Sequence, residues 1–199
     1  MAATLASANL YIPKAKLAGE TVQVLMDAIN ADVNAVFEFE DWMTLDDKIV
    51  YLPIFSQQSD DPIRTLSQAK FELDVGGKKI QAALPCEPPE RFKSLSKEHR
   101  IHWYAINLDH LFEDEVPGFG NNVTIRLHYV QPLIADQFYY LPVIIGHSTN
   151  DASTTEWKYQ MYVRSFIKIA QVISKKSRYE RLGDSVVVLL RDAEIVQIR

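Results

Sequence analysis

Apolar and polar residues alternate along residues 33–40, which read Val-Asn-Ala-Val-Phe-Glu-Phe-Glu. A period of two is typical of a β-strand with one buried face. A second alternating run covers 22–26, and the Asn-Ala-Asp at 30–32 suits a turn, because Asn and Asp tolerate left-handed conformations. The two runs therefore predict a hairpin. A helix over 20–30 is the alternative, since its apolar residues also fit helical spacing.

The clearest local pattern lies over residues 71–82, Phe-Glu-Leu-Asp-Val-Gly-Gly-Lys-Lys-Ile-Gln-Ala. Its two central glycines suit a two-residue hairpin turn, which needs positive φ. The turn fixes the register and, apart from Lys78 beside the turn, leaves one apolar and one polar side. The predicted pairs are Val75–Lys78, Leu73–Ile80 and Phe71–Ala82 on the first side, and Asp74–Lys79 and Glu72–Gln81 on the second.

Further strands follow from the same pattern. Pro53 lies in one of them and predicts that this strand is an edge or ends there. Residues 157–173 favour a long bent strand, with a helix near 154–175 as the alternative because 153–156 have the form of a capping box. Residues 175–183 are predicted as a polar connection. The other strands are expected over Lys48–Phe55, Arg100–Leu108, Val123–Val130, Phe138–Ile145, Ser185–Leu190 and Glu194–Ile198.

Together these elements predict an all-β fold. Nine or ten strands without a repeating β-α-β order favour an antiparallel β-sandwich, immunoglobulin-like or jelly-roll-like. We expect residues 1–15 to be a disordered leader or tag remnant and 16–199 a single sandwich domain, a piece of a longer chain. Residues 85–99 contain three prolines and are the expected crossover between sheets. The apolar faces predict that Phe37, Phe39, Ile125 and Leu127 share one core, contributed from both sheets.

Composition narrows the class of protein. The chain has 199 residues with 47% hydrophobic residues, enough for a substantial core. A net charge of -5 argues against nucleic-acid binding. The single cysteine excludes an intrachain disulfide and a cysteine-rich zinc site. No apolar run approaches the roughly 18–20 residues of a membrane span, so no transmembrane segment is expected.

Catalytic signatures are missing from the sequence. Cys86 lies between prolines and beside a glutamate, which would not lower its pKa, so it is predicted to be a spectator thiol. The acidic residues over 109–115 lack the alternating ligands and central glycine of a calcium loop. There is no Gly-x-Ser-x-Gly elbow and no glycine-rich phosphate loop. We therefore expect no enzyme activity, no bound metal and no cofactor.

Aromatic residues are the remaining candidates for a binding site. Exposed rings could form a platform for a carbohydrate, whereas large aromatics usually serve core packing, which is the alternative. The candidate residues are Trp42, Trp103, Trp157, Tyr139 and Tyr140.

Two strand patterns carry a family resemblance. The Val-Phe-Glu-Phe at 36–39 is followed by Tyr-Leu-Pro-Ile at 51–54, and the Ile-Arg-Leu-His-Tyr at 125–129 by Tyr-Leu-Pro-Val at 140–143. This order resembles exported sandwich domains of the vault protein inter-alpha-trypsin type and related bacterial surface proteins. The resemblance implies a scaffold without catalysis, in an exported or periplasmic protein. The chain departs from it in showing no signal peptide, although its Ala-Ser-Ala at 6–8 resembles the end of one.

These observations favour a non-enzymatic β-sandwich module that acts in protein–protein contact or as a structural part of a larger protein. Its partner would be another protein or a second copy of itself. The alternative is a carbohydrate- or small-ligand-binding module that uses loop aromatics.

Overall fold

The structure is a computed structural model with fifteen strands and one short α-helix in the described part of the chain. It describes residues 5–6, 10–13, 15–40, 42, 45, 48–56, 61–63, 70–99, 101–111, 122–133, 137–142, 159–166, 169, 171–175, 177–190 and 195–199. The strands are β1 (Leu5–Ala6), β2 (Lys16–Met26), β3 (Asn30–Glu40), β4 (Ile49–Ser56), β5 (Lys70–Val75), β6 (Lys78–Ile80), β7 (Leu84–Cys86), β8 (Ile101–Asn107), β9 (Val123–Pro132), β10 (Phe138–Tyr140), β11 (Tyr159–Ser165), β12 (Val172–Ile173), β13 (Arg178–Leu182), β14 (Ser185–Leu189) and β15 (Val196–Ile198). The helix α1 covers Lys93–His99.

The strands form three sheets. The largest has eight strands in the order β13-β14-β11-β2-β3-β9-β5-β6. A four-stranded sheet has the order β1-β4-β8-β7, and a three-stranded sheet the order β10-β15-β12. One apolar core contains residues from all three sheets, so the large sheet packs against the two smaller ones. The fold is therefore an all-β, sandwich-like arrangement, as the alternation predicts.

The predicted first hairpin is confirmed, because β2 pairs with β3 in antiparallel fashion from Lys16 to Met26. Its turn lies earlier than expected. Asp27 accepts hydrogen bonds at Oδ1 from the backbone N–H of Ile29, at 2.7 Å, and of Asn30, at 2.6 Å. The Asp27 side chain therefore organises the turn, and Asn30 already belongs to β3. The predicted turn at 30–32 was thus three residues late.

The second hairpin is also confirmed, with β5 and β6 joined by two glycines in left-handed conformation. Gly76 has φ 60° and Gly77 has φ 85°, as a two-residue hairpin turn requires. Leu73 pairs with Ile80, and the neighbouring pairs have the predicted register. The two outer predicted pairs, Glu72 with Gln81 and Phe71 with Ala82, lie outside the strand ladder because β6 ends at Ile80. The Gln81 side chain still donates to Glu72 Oε2 at 3.4 Å.

The predicted shared core is confirmed in part. Phe37, Phe39, Ile125 and Leu127 are all buried in one cluster. They do not come from two sheets, however. Strands β3 and β9 are neighbours in the eight-stranded sheet, and Phe37 is paired directly with Ile125. Alternation shows which face is buried, but two alternating strands can cover the same core from adjacent positions.

Residues 85–99 are not the crossover between sheets. The chain leaves the large sheet at the end of β6 and enters the four-stranded sheet at Leu84. Residues 85–99 instead carry β7, a 3-10 turn over Glu90–Phe92 and α1, and they connect two neighbouring strands of the small sheet. This segment covers the outer face of the small sheet with a second apolar cluster around Phe92 and Trp103.

The packed structure begins before residue 16, the predicted domain boundary. Leu10 and Ile12 are fully buried, and Tyr11 exchanges both backbone hydrogen bonds with Tyr51 of β4.

Pro53 lies in β4, two residues after Tyr51. Because backbone directions alternate along a strand, the nitrogen of Pro53 points to the side of β4 where Tyr11 lies, away from β8. No described strand lies opposite Pro53 there, so its missing N–H breaks no ladder.

Candidate functional site

The structure separates the five aromatic candidates. Trp42, Trp103 and Tyr140 are almost completely buried. Trp103 donates its indole N–H to Ser96 Oγ at 2.7 Å and stacks on Phe92 with 5.1 Å between ring centroids. These three rings pack inside the protein and offer no face to a ligand.

The other two candidates lie elsewhere. Tyr139 is half-buried, and its hydroxyl donates to Gln137 Oε1 at 2.7 Å. Trp157 lies outside the described residues. The described candidates therefore do not form one exposed aromatic surface.

Sequence reasoning missed a buried acidic group at the centre of the sandwich. Glu20 lies on β2 and is 1% exposed. Its strand neighbours on the inner face are Phe37 of β3 and Tyr159 of β11. Burial raises the pKa of the Glu20 carboxyl to about 8, and the hydrogen bond from Tyr140 only partly offsets this. The sequence contains an indication that this carboxyl is buried, because Glu20 lies two residues before Val22 and so belongs to the inward-facing series Val22, Val24 and Met26.

Strand β13 is exposed along its whole length. The prediction of a polar connection over 175–183 is wrong, because Arg178–Leu182 pair with β14 around a turn at Gly183, which has φ 63°. All five β13 residues are exposed, including Tyr179 at 50% and Leu182 at 55%. This strand ends the sheet order, and no described strand pairs with its outer side.

The hairpin register shows which backbone groups of β13 point outward. Leu182 and Ser185 flank the two-residue turn and form its closing pair. In such hairpins the closing pair exchanges backbone hydrogen bonds, and the direction alternates from there. Leu182 and Glu180 therefore bond to β14, whereas Tyr179 and Arg181 direct their N–H and C=O groups to the open edge.

The open edge differs in charge from the rest of the protein. Strand β13 contains two basic side chains, Arg178 and Arg181, and one acidic side chain, Glu180. The whole chain carries a net charge of -5. A local excess of positive charge on an acidic protein attracts an acidic partner and repels the same edge of a second copy.

A cleft of about 460 Å³ opens beside the end of this hairpin. Arg181 reaches into it and donates from Nη1 to the Ile169 carbonyl at 2.9 Å. Phe166, just beyond the end of β11, is 75% exposed although it is a large apolar residue. We call this feature the hairpin cleft; its lining residues are Arg164, Ser165, Phe166, Ile169, Arg181, Gly183, Asp184, Ser185 and Val186.

The single cysteine is not an activated nucleophile. Cys86 is half-buried, and burial together with the nearby Glu87 charge raises the pKa of its thiol to about 11, so the thiol is protonated at neutral pH. Among the described residues, no group of three His, Cys, Asp or Glu side chains is arranged as metal ligands. Within that same part of the chain, no helix has the length and apolar character needed to cross a membrane.

Comparison with known proteins adds no relative. No protein-family model matches the chain, and no curated protein sequence matches it.

Proposed function

We propose that this chain is a non-enzymatic β-sandwich module of an exported protein, and that it acts in protein–protein contact. Its contact surface is the open edge of β13, where an extended segment of a protein partner adds as a further strand. The single observation that carries this proposal is the exposure of all five β13 residues at the end of an eight-stranded sheet. Strand addition of this kind takes its affinity from backbone hydrogen bonds and its specificity from side chains.

The basic side chains of β13 favour an acidic partner. An extended acidic segment would place carboxylates beside Arg178 and Arg181, which favours its approach and its register. Two copies of β13 paired antiparallel about Glu180 would place the two Glu180 carboxylates directly opposite each other, which is destabilising. The other end of the sheet, β6, carries Lys78 and Lys79 and is also basic. The proposal therefore commits to an acidic partner rather than to self-association.

The apolar residues of the edge supply the remaining contact. Tyr179 and Leu182 are about half exposed and lie on opposite faces of the same strand. Burying them under an added strand would remove apolar surface from water, which is the main driving force of association. Charged side chains on the strand meanwhile protect the edge from indiscriminate pairing.

A peptide titration tests strand addition. The probe is a fluorescent, end-capped peptide of alternating valine and glutamate, and its counterpart replaces each glutamate by lysine. We expect the acidic peptide to bind with an increase in anisotropy, and backbone amide NMR shifts centred on Tyr179 and Arg181. The lysine peptide should not bind, because it faces the same positive charge.

Two variants of one residue separate the backbone from the side chain. Tyr179→Pro removes an outward N–H and should weaken binding of the acidic peptide by up to about tenfold for one lost hydrogen bond. Tyr179→Val keeps that N–H and should retain most of the affinity. Equal binding of both peptides, equal affinity of both variants, or a concentration-dependent dimer through β13 in sedimentation would overturn the proposal.

A further inference from the structure

We propose that the outer face of the eight-stranded sheet binds a second copy of this chain, with the two sheets packed face to face about a two-fold axis. The outer face is the side that points away from the apolar core. It is a different surface from the open edge of β13, where the acidic partner adds as a strand. The contact makes the module a symmetric dimer and leaves both open edges available.

The strand register places one row of side chains across this face. The row crosses six strands from β13 to β9, because each of its residues is the paired neighbour of the next. In order, its members are Leu182, Ser185, Arg164, Leu25, Asp32 and Val130. Leu182, Leu25 and Val130 are exposed although they are large apolar residues. Exposed apolar surface with polar neighbours is typical of a protein contact site.

The centre of the outer face carries few charges. Strands β11, β2 and β3 lie side by side there over residues 160–164, 21–25 and 32–36. Two of the nine outward residues in this block are charged, Arg164 and Asp32. Tyr162 lies in the same block, next to Gln23, and is exposed. Protein interfaces are poor in charge at their centre and enriched in tyrosine, so this block has the composition of an interface centre.

The two charges select one symmetric arrangement. Arg164 and Asp32 lie on either side of Leu25, each one strand away from it. A two-fold axis along β2, between the two sheets, exchanges the two sides of β2. It therefore places Leu25 against the partner's Leu25, and Arg164 of each copy against Asp32 of the other. An axis across the strands would set Arg164 against Arg164 and Asp32 against Asp32, which is unfavourable.

Both charged groups are available for this contact. Asp32 accepts a hydrogen bond from Asn34 Nδ2 at 3.1 Å and lies 3.2 Å from His128 Nε2, and both contacts use its Oδ1. Within the described part of the chain, neither Asp32 Oδ2 nor the exposed Arg164 guanidinium has a hydrogen bond or an ion pair. Guanidinium and carboxylate groups pair well because the N–H donors match the carboxylate oxygens.

The outer face is large enough for a stable dimer. Eight strands span roughly 35 Å across the sheet, since neighbouring strands lie about 4.8 Å apart. The longest strands, β2 and β3, have eleven residues each and extend roughly 35 Å in the other direction. A stable interface buries about 800 Å² on each partner, which a face of these dimensions provides.

Sedimentation velocity over a range of concentrations tests for the dimer. We expect the natural chain to dimerise reversibly. Asp32→Arg and Arg164→Asp each set like charges against each other in the dimer and should weaken dimerisation about tenfold or more. Lys97→Asp is the matched control, because it reverses the charge of an exposed residue on α1, away from the outer face, and should leave dimerisation unchanged.

A mixture of the two single variants tests the pairing itself. In the mixed dimer, Arg164 of the Asp32→Arg chain faces Asp32 of the Arg164→Asp chain, and the two substituted residues face each other with opposite charges. The equimolar mixture should therefore dimerise about as well as the natural chain, although each variant alone does not. A folding defect in either variant would not give this rescue.

Several outcomes would contradict the dimer. It is overturned by a natural chain that stays monomeric, by a mixture of the two variants that stays monomeric, or by an equal loss in Lys97→Asp. Tyr179→Pro, which alters the open edge, should dimerise normally. A dimer lost in Tyr179→Pro but kept in Asp32→Arg would place self-association at the edge of β13 instead of the outer face.

Discussion

Tyr140 donates its phenolic hydrogen to Oε1 of Glu20 at 2.5 Å, across the interior of the sandwich. The two residues are 120 positions apart, and both are fully buried. Tyr140 lies on β10 of the three-stranded sheet and Glu20 on β2 of the eight-stranded sheet, so this bond joins the two layers. Burial and the nearby Glu20 carboxyl raise the pKa of Tyr140 well above its usual range, so it remains a donor.

The Glu20 carboxyl makes stability depend on pH in a defined direction. Its pKa is raised to about 8 in the folded protein, from an ordinary value of 4.5. Below about pH 4.5 the carboxyl is protonated in both states. Between 4.5 and 8 the unfolded chain loses this proton while the folded protein keeps it, so stability falls as pH rises. Each tenfold difference in proton affinity corresponds to about 1.4 kcal/mol, so the full loss is several kcal/mol.

Glu20→Gln tests this dependence, because an amide still accepts the Tyr140 hydrogen bond but does not titrate. Urea unfolding between pH 5 and 8 should show a flatter decline for Glu20→Gln than for the natural chain, with the largest gain in stability near pH 8. Glu38→Gln, an exposed change on β3, serves as the control and should keep the natural slope. An unchanged slope in Glu20→Gln would show that this carboxyl is not the titrating group.

Substitutions of neighbouring residues on the paired strands β3 and β9 should differ sharply in their effect on stability. Phe37→Ala and Leu127→Ala each leave a cavity in the core and should cost about 2–5 kcal/mol. Glu38→Ala lies on the exposed face of β3 and should change stability by less than about 0.5 kcal/mol. Thermal unfolding of the three variants measures this directly. A neutral Phe37→Ala with a damaging Glu38→Ala would mean that the strand faces are reversed.

The turn at Gly76 should reject a β-branched residue. With φ 60°, Gly76→Val forces a side chain into a left-handed conformation, which costs roughly 1–2 kcal/mol. Gly76→Asn is the matched change, because asparagine tolerates this conformation, and it should cost clearly less. Chemical denaturation gives both values, and equal losses would contradict the conformational explanation.

Removal of the Ser96 hydroxyl oxygen, which accepts the Trp103 hydrogen bond, should lower the stability of the protein. Ser96→Ala leaves the buried indole N–H without its Oγ acceptor, at a cost of about 1–3 kcal/mol. Ser94→Ala changes an exposed serine of the same helix and should be nearly neutral. Unfolding followed by tryptophan fluorescence compares the two variants. Equal stabilities would show that another group or water replaces the lost acceptor.

The buried faces of individual strands and the two-glycine turn could be predicted from the sequence. Alternation at 33–40 identified the buried side of β3, and the two glycines at 76–77 fixed the register of β5 and β6. These features are local: side chains point to opposite faces with period two, and positive φ favours glycine. Strand β13 escaped detection for the same reason, because an exposed edge strand has no buried face and therefore shows no alternation.

Only the tertiary structure decided which strands become neighbours and which groups meet. Strand β11 pairs with β2 in parallel, the one parallel pair among the described strands, although about 130 residues separate them. Glu20 meets Tyr140 because the three-stranded sheet packs against the eight-stranded one, and the order β13-β14-β11 brings Arg164 and Arg181 to the lining of one cleft. Such contacts depend on how complementary surfaces cover one another, and hydrophobic burial is non-directional, so a periodic pattern specifies a face without naming its partner.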